Sequence, residues 1–149
     1  MIATHVQGGR VPWMWFNAPH EERPPTVVMI EDDAAIAEMY RRQLAIDGFR
    51  VLVAGDGVRG LELVRSAHAD LVLLDLLLPE MEGFAVLHQI REDPVLAGTP
   101  VVVLSNYGEP DMIGRGRAAG AVDYLIKSST TPSQLSARVR RWLGKETDD

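Results

Sequence analysis

Five short apolar runs alternate along the chain with longer segments in which apolar residues recur every three or four positions. Each run is five or six residues long and rich in branched side chains, which is typical of a strand buried on both faces of a parallel sheet. The runs are TVVMI (26–30), RVLVA (50–54), LVLLD (71–75), PVVVLS (100–105) and VDYLIK (122–127). The pattern therefore predicts five buried strands.

The segments between and after these runs have helical spacing. In the first segment, apolar residues recur every four positions from Ile36 to Leu44, and Gly48 supplies a stop. The last helix has the clearest beginning, because Thr131 suits the cap and Gln134 completes a capping box. The predicted helices are 34–48, about 58–68, 84–93, a weak one within 109–119, and one from 132 to about 143.

Regular alternation of strands and helices predicts an α/β fold, a doubly wound five-stranded parallel sheet with helices on both faces. The folded domain is expected to span residues 26–144 and to be followed by a short C-terminal tail, 145–149. Residues 1–25 show no period, so we predict a disordered N-terminal tail. Its aromatic cluster, Trp13 to Phe16, belongs either to a leader or to a short peptide that docks on a partner.

Composition limits the classes of function. The net charge of −6 argues against a general nucleic-acid binder, so we expect no direct DNA binding. The chain has no cysteine, which excludes disulfides and thiolate metal sites and fits a cytoplasmic protein. No apolar run approaches the roughly 20 residues that a membrane helix needs, so no membrane association is expected.

Functional groups of complementary kinds follow four of the five predicted strands. They are Glu31, Asp32 and Asp33 after the first strand, Asp75 after the third, Ser105 and Asn106 after the fourth, and Lys127 after the fifth. The carboxyl ends of parallel strands meet at one edge of a sheet, where ligands bind in doubly wound folds. These side chains are therefore expected to converge.

Carboxylates gathered at such an edge repel one another, and a divalent cation relieves the repulsion. If the first and third strands are neighbours, about 4.8 Å apart, Glu31, Asp32 and Asp75 come together. Mg²⁺ prefers oxygen ligands and bridges readily to phosphate, and Lys127 adds a charge suited to a phosphoryl group. The set predicts a carboxylate and Mg²⁺ site that receives a phosphoryl group.

Each of these residues also has a purely structural interpretation. Asp33 is expected to cap a helix, an isolated Asp at a strand end is usually a turn residue, Ser105 can bond to nearby backbone, and Lys127 can be solvated. Their occurrence together at one edge of the sheet, in a consistent order, favours the functional interpretation.

The stretch from Gly55 to Gly60 matches G-x-G-x-x-G, and Asp75 follows Gly55 by twenty residues, as in a dinucleotide-binding fingerprint. Such a site needs that strand to be the first, central strand of the sheet. Here an earlier strand, 26–30, carries the acids. We therefore interpret the glycines as a turn into a helix, with Asp56 as its cap.

The stretches IEDD, LLDLLLPEMEG, VVVLSN and DYLIK, at these separations, resemble the receiver domain of two-component response regulators over residues 26–143. The resemblance implies a flavodoxin-like strand order, 2-1-3-4-5, with the second strand at the edge. It further implies that Asp75 is the phospho-acceptor and a metal ligand. Asp32 would bind Mg²⁺, or Mn²⁺, directly, Glu31 would hold it through water, and the carbonyl of Leu77 would be a further ligand.

By the same resemblance, Ser105 and Lys127 contact the phosphoryl oxygens, and Tyr124 changes rotamer when the Ser105 hydroxyl is drawn in. Pro79 and Gly83 would shape the loop after the phospho-acceptor. The implied function is a signalling switch rather than an enzyme in the ordinary sense. A sensor histidine kinase or phosphotransfer protein would donate the phosphoryl group. The face formed by the fourth helix, fifth strand and fifth helix would then alter binding of an unknown downstream protein, with the receiver a monomer or a phosphorylation-dependent dimer.

The chain departs from the family pattern at three positions near the site. Ser128 replaces the proline that usually follows the lysine, which leaves the configuration of the Lys127–Ser128 peptide open. Asn106 replaces a small residue, and Leu77 stands where polar residues often position water. Leu77 and Tyr107 flank the expected path of water, so we predict slow loss of the phosphoryl group.

Two other functions remain as alternatives. A degenerate receiver would bind partners without phosphorylation, although Asp75, Asp32 and Lys127 are all present. An aspartyl-phosphate hydrolase of the haloacid dehalogenase type would need a second Asp two residues after the first, where this chain has Leu77. No output module is visible after Leu143, so a stand-alone receiver or a piece of a larger protein is expected.

Overall fold

A computed structural model describes residues 23–78 and 82–144 of the chain. The predictions for residues 1–22 and 145–149, and for Pro79, lie outside this part. The strands are β1 Thr26–Ile30, β2 Arg50–Ala54, β3 Leu71–Leu74, β4 Val101–Ser105 and β5 Asp123–Ile126. The helices are α1 Ala34–Ile46, α2 Gly57–Ser66, α3 Gly83–Glu92, α4 Pro110–Ala118 and α5 Pro132–Trp142.

The five strands form one parallel sheet in the order β2-β1-β3-β4-β5, which confirms the predicted fold class and strand order. The register decides what meets at the carboxyl edge. Ile30 of β1 pairs with Leu74 of β3, so the residues that follow them, Glu31 and Asp75, lie side by side. The register places the acids of two different strands at the same height.

Two apolar layers cover the sheet, one on each face, because successive side chains of a buried strand point in opposite directions. Val27 and Met29 pack with the inner faces of α1 and α5. Val28 and Ile30 pack on the other face, with α2, α3 and the partly buried side of α4. Burial on both faces explains why the central strands are continuous apolar runs in the sequence.

The strands end earlier than the apolar runs suggested at the positions that matter for chemistry. Asp75 lies just outside β3, and Lys127 begins a short 3₁₀ turn, Lys127–Ser129, instead of ending β5. The described residues contain no cis peptide bond, so the Lys127–Ser128 peptide is trans. Polar residues that leave the strand ladder are free to turn their side chains into the space above the sheet edge.

Side chains fix the helix beginnings as the sequence predicted. Asp33 Oδ1 accepts a hydrogen bond from the Ile36 backbone nitrogen at 3.0 Å, and Asp56 caps α2 in the same way. Thr131 and Gln134 form a complete capping box. Gly60 packs on β1, since a Cβ there would lie 2.5 Å from Ile30 Cδ1. The glycine-rich stretch therefore serves a turn and a helix contact.

At the opposite edge of the sheet, a single guanidinium group joins two loops. Arg91 of α3 donates hydrogen bonds to the carbonyl oxygens of Ala97 at 3.2 Å, Thr99 at 2.7 Å and Gly120 at 2.7 and 3.1 Å. These carbonyls belong to the α3–β4 and α4–β5 connections.

None of the helices in the described part of the chain has the length and apolar character needed to cross a membrane.

Replacing Arg91 by Met should lower the free energy of unfolding by about 2–3 kcal/mol, because three carbonyl groups lose a charged donor. Urea denaturation measures the change. The control is Arg59→Met, since the Arg59 side chain is 80% exposed and makes only a loose ion pair with Asp56 at 3.6 Å. Arg59→Met should change stability by less than about 0.5 kcal/mol. Equal losses for the two variants would contradict a special role for Arg91.

Candidate functional site

The predicted site residues converge on a pocket at the carboxyl edge of the sheet. Glu31, Asp32 and Asp75 each offer a carboxylate oxygen, and these oxygens all lie within 4.8 Å of one another. The pocket has a volume of about 400 Å³ and is open to solvent. It is lined by Glu31, Asp32, Asp33, Ile36, Asp75, Leu77, Ser105, Asn106, Tyr107 and Lys127. Of the predicted site residues, only Tyr124 lies outside the lining.

Asp75 occupies the floor of this pocket and is only 7% exposed. One carboxylate oxygen accepts a hydrogen bond from the Leu77 backbone nitrogen at 3.1 Å, and the other lies 2.9 Å from Lys127 Nζ. Helix α3 begins directly behind it. A Cβ at Gly83 would lie 2.4 Å from the Asp75 carbonyl oxygen, so only glycine lets the helix approach this closely. The Asp75 backbone is thereby held between β3 and α3.

Lys127 is shared between two acids. Its Nζ forms ion pairs with Asp75 and with Glu31, which is 4% exposed. Burial raises the pKa of Glu31, against the opposing hydrogen bonds from Lys127 and from the Asp33 backbone. Burial opposes the charge on Lys127 as well, but its hydrogen bonds to Glu31 and Asp75 outweigh that effect and raise its pKa. The ammonium group therefore stays charged.

This donor set fits a divalent cation. Three carboxylates face one ammonium group, so the cluster carries an excess of negative charge when all are ionised. Asp32 is exposed at the mouth of the pocket, where a partly hydrated ion can enter, and Leu77 lines the same wall. Mg²⁺ favours such sites because it binds one or two carboxylates and keeps several waters.

At one side of the pocket, the side chains of Ser105 and Tyr124 and the backbone of Tyr107 form a hydrogen-bonded network. Ser105 is fully buried, and its hydroxyl oxygen accepts from the Tyr107 backbone nitrogen at 3.1 Å. Tyr124 donates its hydroxyl proton to the Tyr107 carbonyl oxygen at 2.5 Å. Burial raises the pKa of Tyr124, and a hydrogen bond with Ser105 partly offsets the effect. The Tyr124 ring is 7% exposed, so the structure shows its inward conformation.

Two large side chains stand exposed at the rim of the pocket. Leu77 is 57% exposed and Tyr107 is 38% exposed. Asn106, also exposed, lies next to Tyr107 on the same wall. The three residues predicted to tune the reaction rate thus border the opening through which water reaches Asp75.

Two arginines of α5 form ion pairs with acids of other elements. Arg138 forms an ion pair with Asp123 at 2.6 Å, and the indole nitrogen of Trp142 donates to the same carboxylate at 2.9 Å. Arg140 pairs with Asp47 at the end of α1, at 2.9 Å. These contacts attach α5 to β5 and to α1. They are not apparent from the sequence because the partners are distant along the chain.

The order of the strands, the acid cluster and the lysine that joins its members define a class of protein. The family described as the response regulator receiver domain matches residues 27–140, and the chain belongs to that family. The receiver interpretation of the sequence is therefore confirmed.

Several relatives illustrate the family. The DNA-binding response regulator MtrA of Mycobacterium tuberculosis is 39% identical over 123 residues, which are 83% of this chain and 52% of MtrA. The chemotaxis protein CheY4 of Vibrio cholerae superposes with a TM-score of 0.75, at 28% identity over 80% of this chain and 99% of CheY4. The phosphorylated cyanobacterial phytochrome response regulator RcpA has a TM-score of 0.73 and 30% identity, over 83% of this chain and 97% of RcpA.

One expectation from the sequence is wrong. The absence of DNA binding was inferred from the net charge of −6, but MtrA, a relative in this family, is a DNA-binding response regulator. The charge describes a receiver, and the chain spans about half the length of the curated relatives it matches. The charge of a receiver therefore carries no information about the DNA-binding part of such a protein. The stand-alone arrangement stays a prediction.

The Tyr124 ring is closely packed against a glycine of α4. A Cβ at Gly116 would lie 3.0 and 3.1 Å from two ring carbons of Tyr124, whereas a Cβ at Gly114 would meet nothing within 4 Å. Gly114→Ala should therefore stabilise the protein by about 0.5–1 kcal/mol through helix propensity. Gly116→Ala should lose that gain or destabilise the protein, because the ring is tied to Tyr107 and has little room to shift.

Urea denaturation of the two alanine variants tests this difference. Both substitutions lie in α4 and change helix propensity alike, so each serves as the control for the other. Equal stabilisation by the two substitutions would contradict the prediction, because it would mean that the Tyr124 ring shifts away from the methyl group added at position 116 without loss of stability.

Proposed function

We propose that this receiver domain is a phosphorylation-dependent switch in which Asp75 accepts a phosphoryl group from a phosphohistidine of a sensor histidine kinase or a phosphotransfer protein. One observation carries the proposal: the Asp75 carboxylate, nearly buried, lies in a pocket with three further acids, a lysine and a serine. RcpA, at 30% identity, is known in a phosphorylated form, which supports the proposal.

In the proposed reaction, a carboxylate oxygen of Asp75 attacks the phosphorus atom while the bond to the histidine nitrogen breaks. The product is an acyl phosphate. Lys127, which is 2.9 Å from Asp75, is in reach of the phosphoryl oxygens, and Ser105 is a further donor from the neighbouring wall. Rate enhancement comes from position and electrostatics, since phosphoryl transfer needs little other chemistry from the protein.

A divalent cation is part of this proposal. Asp32 and Asp75 would bind Mg²⁺, or Mn²⁺, directly, with Glu31 acting through water and Leu77 through its carbonyl oxygen. These residues would place a cation where it would offset negative charge on the phosphoryl group. The hydrolase alternative lacks its acid/base group, because the second residue after Asp75 is Leu77.

The conformational response would involve the hydrogen bonds among Ser105, Tyr107 and Tyr124. A phosphoryl group on Asp75 would attract the Ser105 hydroxyl and so alter its bonds with Tyr107 and Tyr124. Tyr124 lies in β5 and packs against α4, so the face formed by α4, β5 and α5 would respond. Such a change is a population shift driven by the difference in contacts between two states.

The output of the switch is proposed from the relatives. MtrA is a DNA-binding regulator, and this chain matches 52% of its length. We therefore propose that the receiver acts together with a DNA-binding effector domain, whose activity it controls. Since the effector would carry the contacts to DNA, the acidic receiver itself needs no basic face.

Incubation with Mg²⁺ and acetyl phosphate should add one phosphoryl group to the wild type, as measured by intact mass. Asp75→Asn should gain none, because the amide cannot accept the group. Asp56→Asn is the matched control. This acid caps α2 and makes a loose ion pair with the exposed Arg59 side chain, it does not line the pocket, and an Asn also caps well, so the variant should react as the wild type does. A wild type that gains no phosphoryl group would favour the degenerate receiver.

Replacing Leu77 by Asn should speed loss of the phosphoryl group about tenfold, which is about 1.4 kcal/mol in the barrier. The amide would orient a water at the opening of the pocket, which Leu77 cannot do. Decay of the phosphorylated mass after removal of the donor gives the rate. Val95→Asn, an equally polar change at a residue that is 84% exposed and does not line the pocket, should leave the rate unchanged. If Leu77→Asn lost its phosphoryl group at the wild-type rate, the idea that Leu77 slows this loss would be refuted.

A further inference from the structure

Helix α1 carries one polar atom on its buried face. The Tyr40 side chain is 1% exposed and packs in the core with Ala37 and Leu44. Its hydroxyl donates a hydrogen bond to the carbonyl oxygen of Thr130, 90 positions further along the chain, at 2.7 Å. This bond joins the core of α1 to the loop between β5 and α5.

A leucine or phenylalanine would fill this place in the core without a polar atom to satisfy. A buried hydroxyl destabilises the protein unless it is hydrogen-bonded. The Tyr40 hydroxyl therefore needs its hydrogen bond to the Thr130 carbonyl oxygen. Burial raises the pKa of Tyr40, which is also sensitive to the charges of Lys127 and Glu31. The hydroxyl therefore lies within electrostatic reach of the ion pairs in the site.

The loop that Tyr40 holds is the one that begins with Lys127. Thr130 closes this loop, because its hydroxyl donates to the Ile126 carbonyl oxygen at 2.7 Å and its backbone nitrogen donates to the Lys127 carbonyl oxygen at 3.3 Å. Ser128, inside the loop, is exposed and lacks the fixed backbone angle of a proline. Three hydrogen bonds thus hold Ile126–Thr130, and one of them anchors it to α1.

We propose that Tyr40 and Thr130 are positioning residues for Lys127. They fix the backbone on which the lysine stands, so that its ammonium group reaches Asp75 and Glu31. The inference rests on the proposed function, because it assigns Lys127 to the phosphoryl group. Neither residue lines the pocket, so both act only through the loop.

Tyr40→Phe removes the hydroxyl alone and keeps the ring in the core. With acetyl phosphate and saturating Mg²⁺, Asp75 should be phosphorylated about five- to tenfold more slowly, a change in barrier of the order that one lost positioning contact produces. The Mg²⁺ concentration that gives half the maximal rate should change less than twofold, because no proposed metal ligand belongs to this loop. Thr130→Val removes the hydrogen bond from the Thr130 hydroxyl to the Ile126 carbonyl oxygen, within the same loop. It should also slow phosphorylation of Asp75.

A second measurement needs neither metal nor phosphoryl donor. In the metal-free protein, backbone amides of residues 127–131 should exchange hydrogen at least fivefold faster in Tyr40→Phe, while amides of α2 and α3 keep their wild-type rates. Leu44→Val is the control, because it shrinks the same buried face of α1 without removing a hydrogen bond. It should leave both the exchange in this loop and the rate of phosphorylation near wild type.

The outcomes separate the two proposals. If the wild type gains no phosphoryl group, the proposed function fails and the positioning role fails with it. If the wild type is phosphorylated and Tyr40→Phe matches its rate, only the positioning role is overturned. An equal loss of rate in Leu44→Val and Tyr40→Phe would also overturn it, since general loosening of α1 would then explain both.

Discussion

The parallel pairing of β1 with β3 is the constraint on which the rest of the site depends. Ile30 opposite Leu74 makes both strands end at the same height, so Glu31 and Asp75 emerge side by side. A slip of one residue would turn every side chain of a strand to the other face and would bury an acid in the core. The apolar residues of β1, packed on both faces, therefore hold the carboxylates together against their repulsion. Lys127 offsets part of that repulsion from the other side of the pocket.

The electrostatics of the pocket explain how it can remain both stable and reactive. Two nearly buried carboxylates share one ammonium group, and the third acid, Asp32, lies in solvent. If every carboxylate were paired with a cationic side chain, the cluster would have little affinity for a metal cation. If Lys127 were absent, burying the carboxylates would destabilise the protein. The excess of negative charge sits where an ion can reach it, at the mouth. Neutralisation is thus incomplete at the place where a metal and a phosphoryl group would enter.

Most of the fold was predictable from the sequence, because each central strand is apolar throughout and each polar strand end stands out against it. The predictions for Asp33, Asp56 and Thr131 as caps are confirmed for the same reason, since capping is a local interaction. Contacts between distant segments were not predictable. Tyr40 is one apolar position of a helix stripe in the sequence, and only the structure shows its partner 90 residues away. The expectation of no DNA binding was wrong, because composition reports on the receiver alone, whereas the relative MtrA is a DNA-binding response regulator.

If Asp75 is phosphorylated as proposed, the network of Ser105, Tyr107 and Tyr124 is what the phosphoryl group would have to rearrange. In this structure the tyrosine hydroxyl is already bonded to the Tyr107 carbonyl oxygen, and its ring is closely packed against Gly116. A phosphoryl group that interacted equally with the inward and outward states would shift nothing. In the proposed switch its effect would come through Ser105 and Tyr107, which both line the pocket and both interact with Tyr124. The strength of the proposed switch would therefore depend on how differently Ser105 is bonded in the two states. The close fit of the Tyr124 ring against α4 would limit how far the Ser105 loop can move.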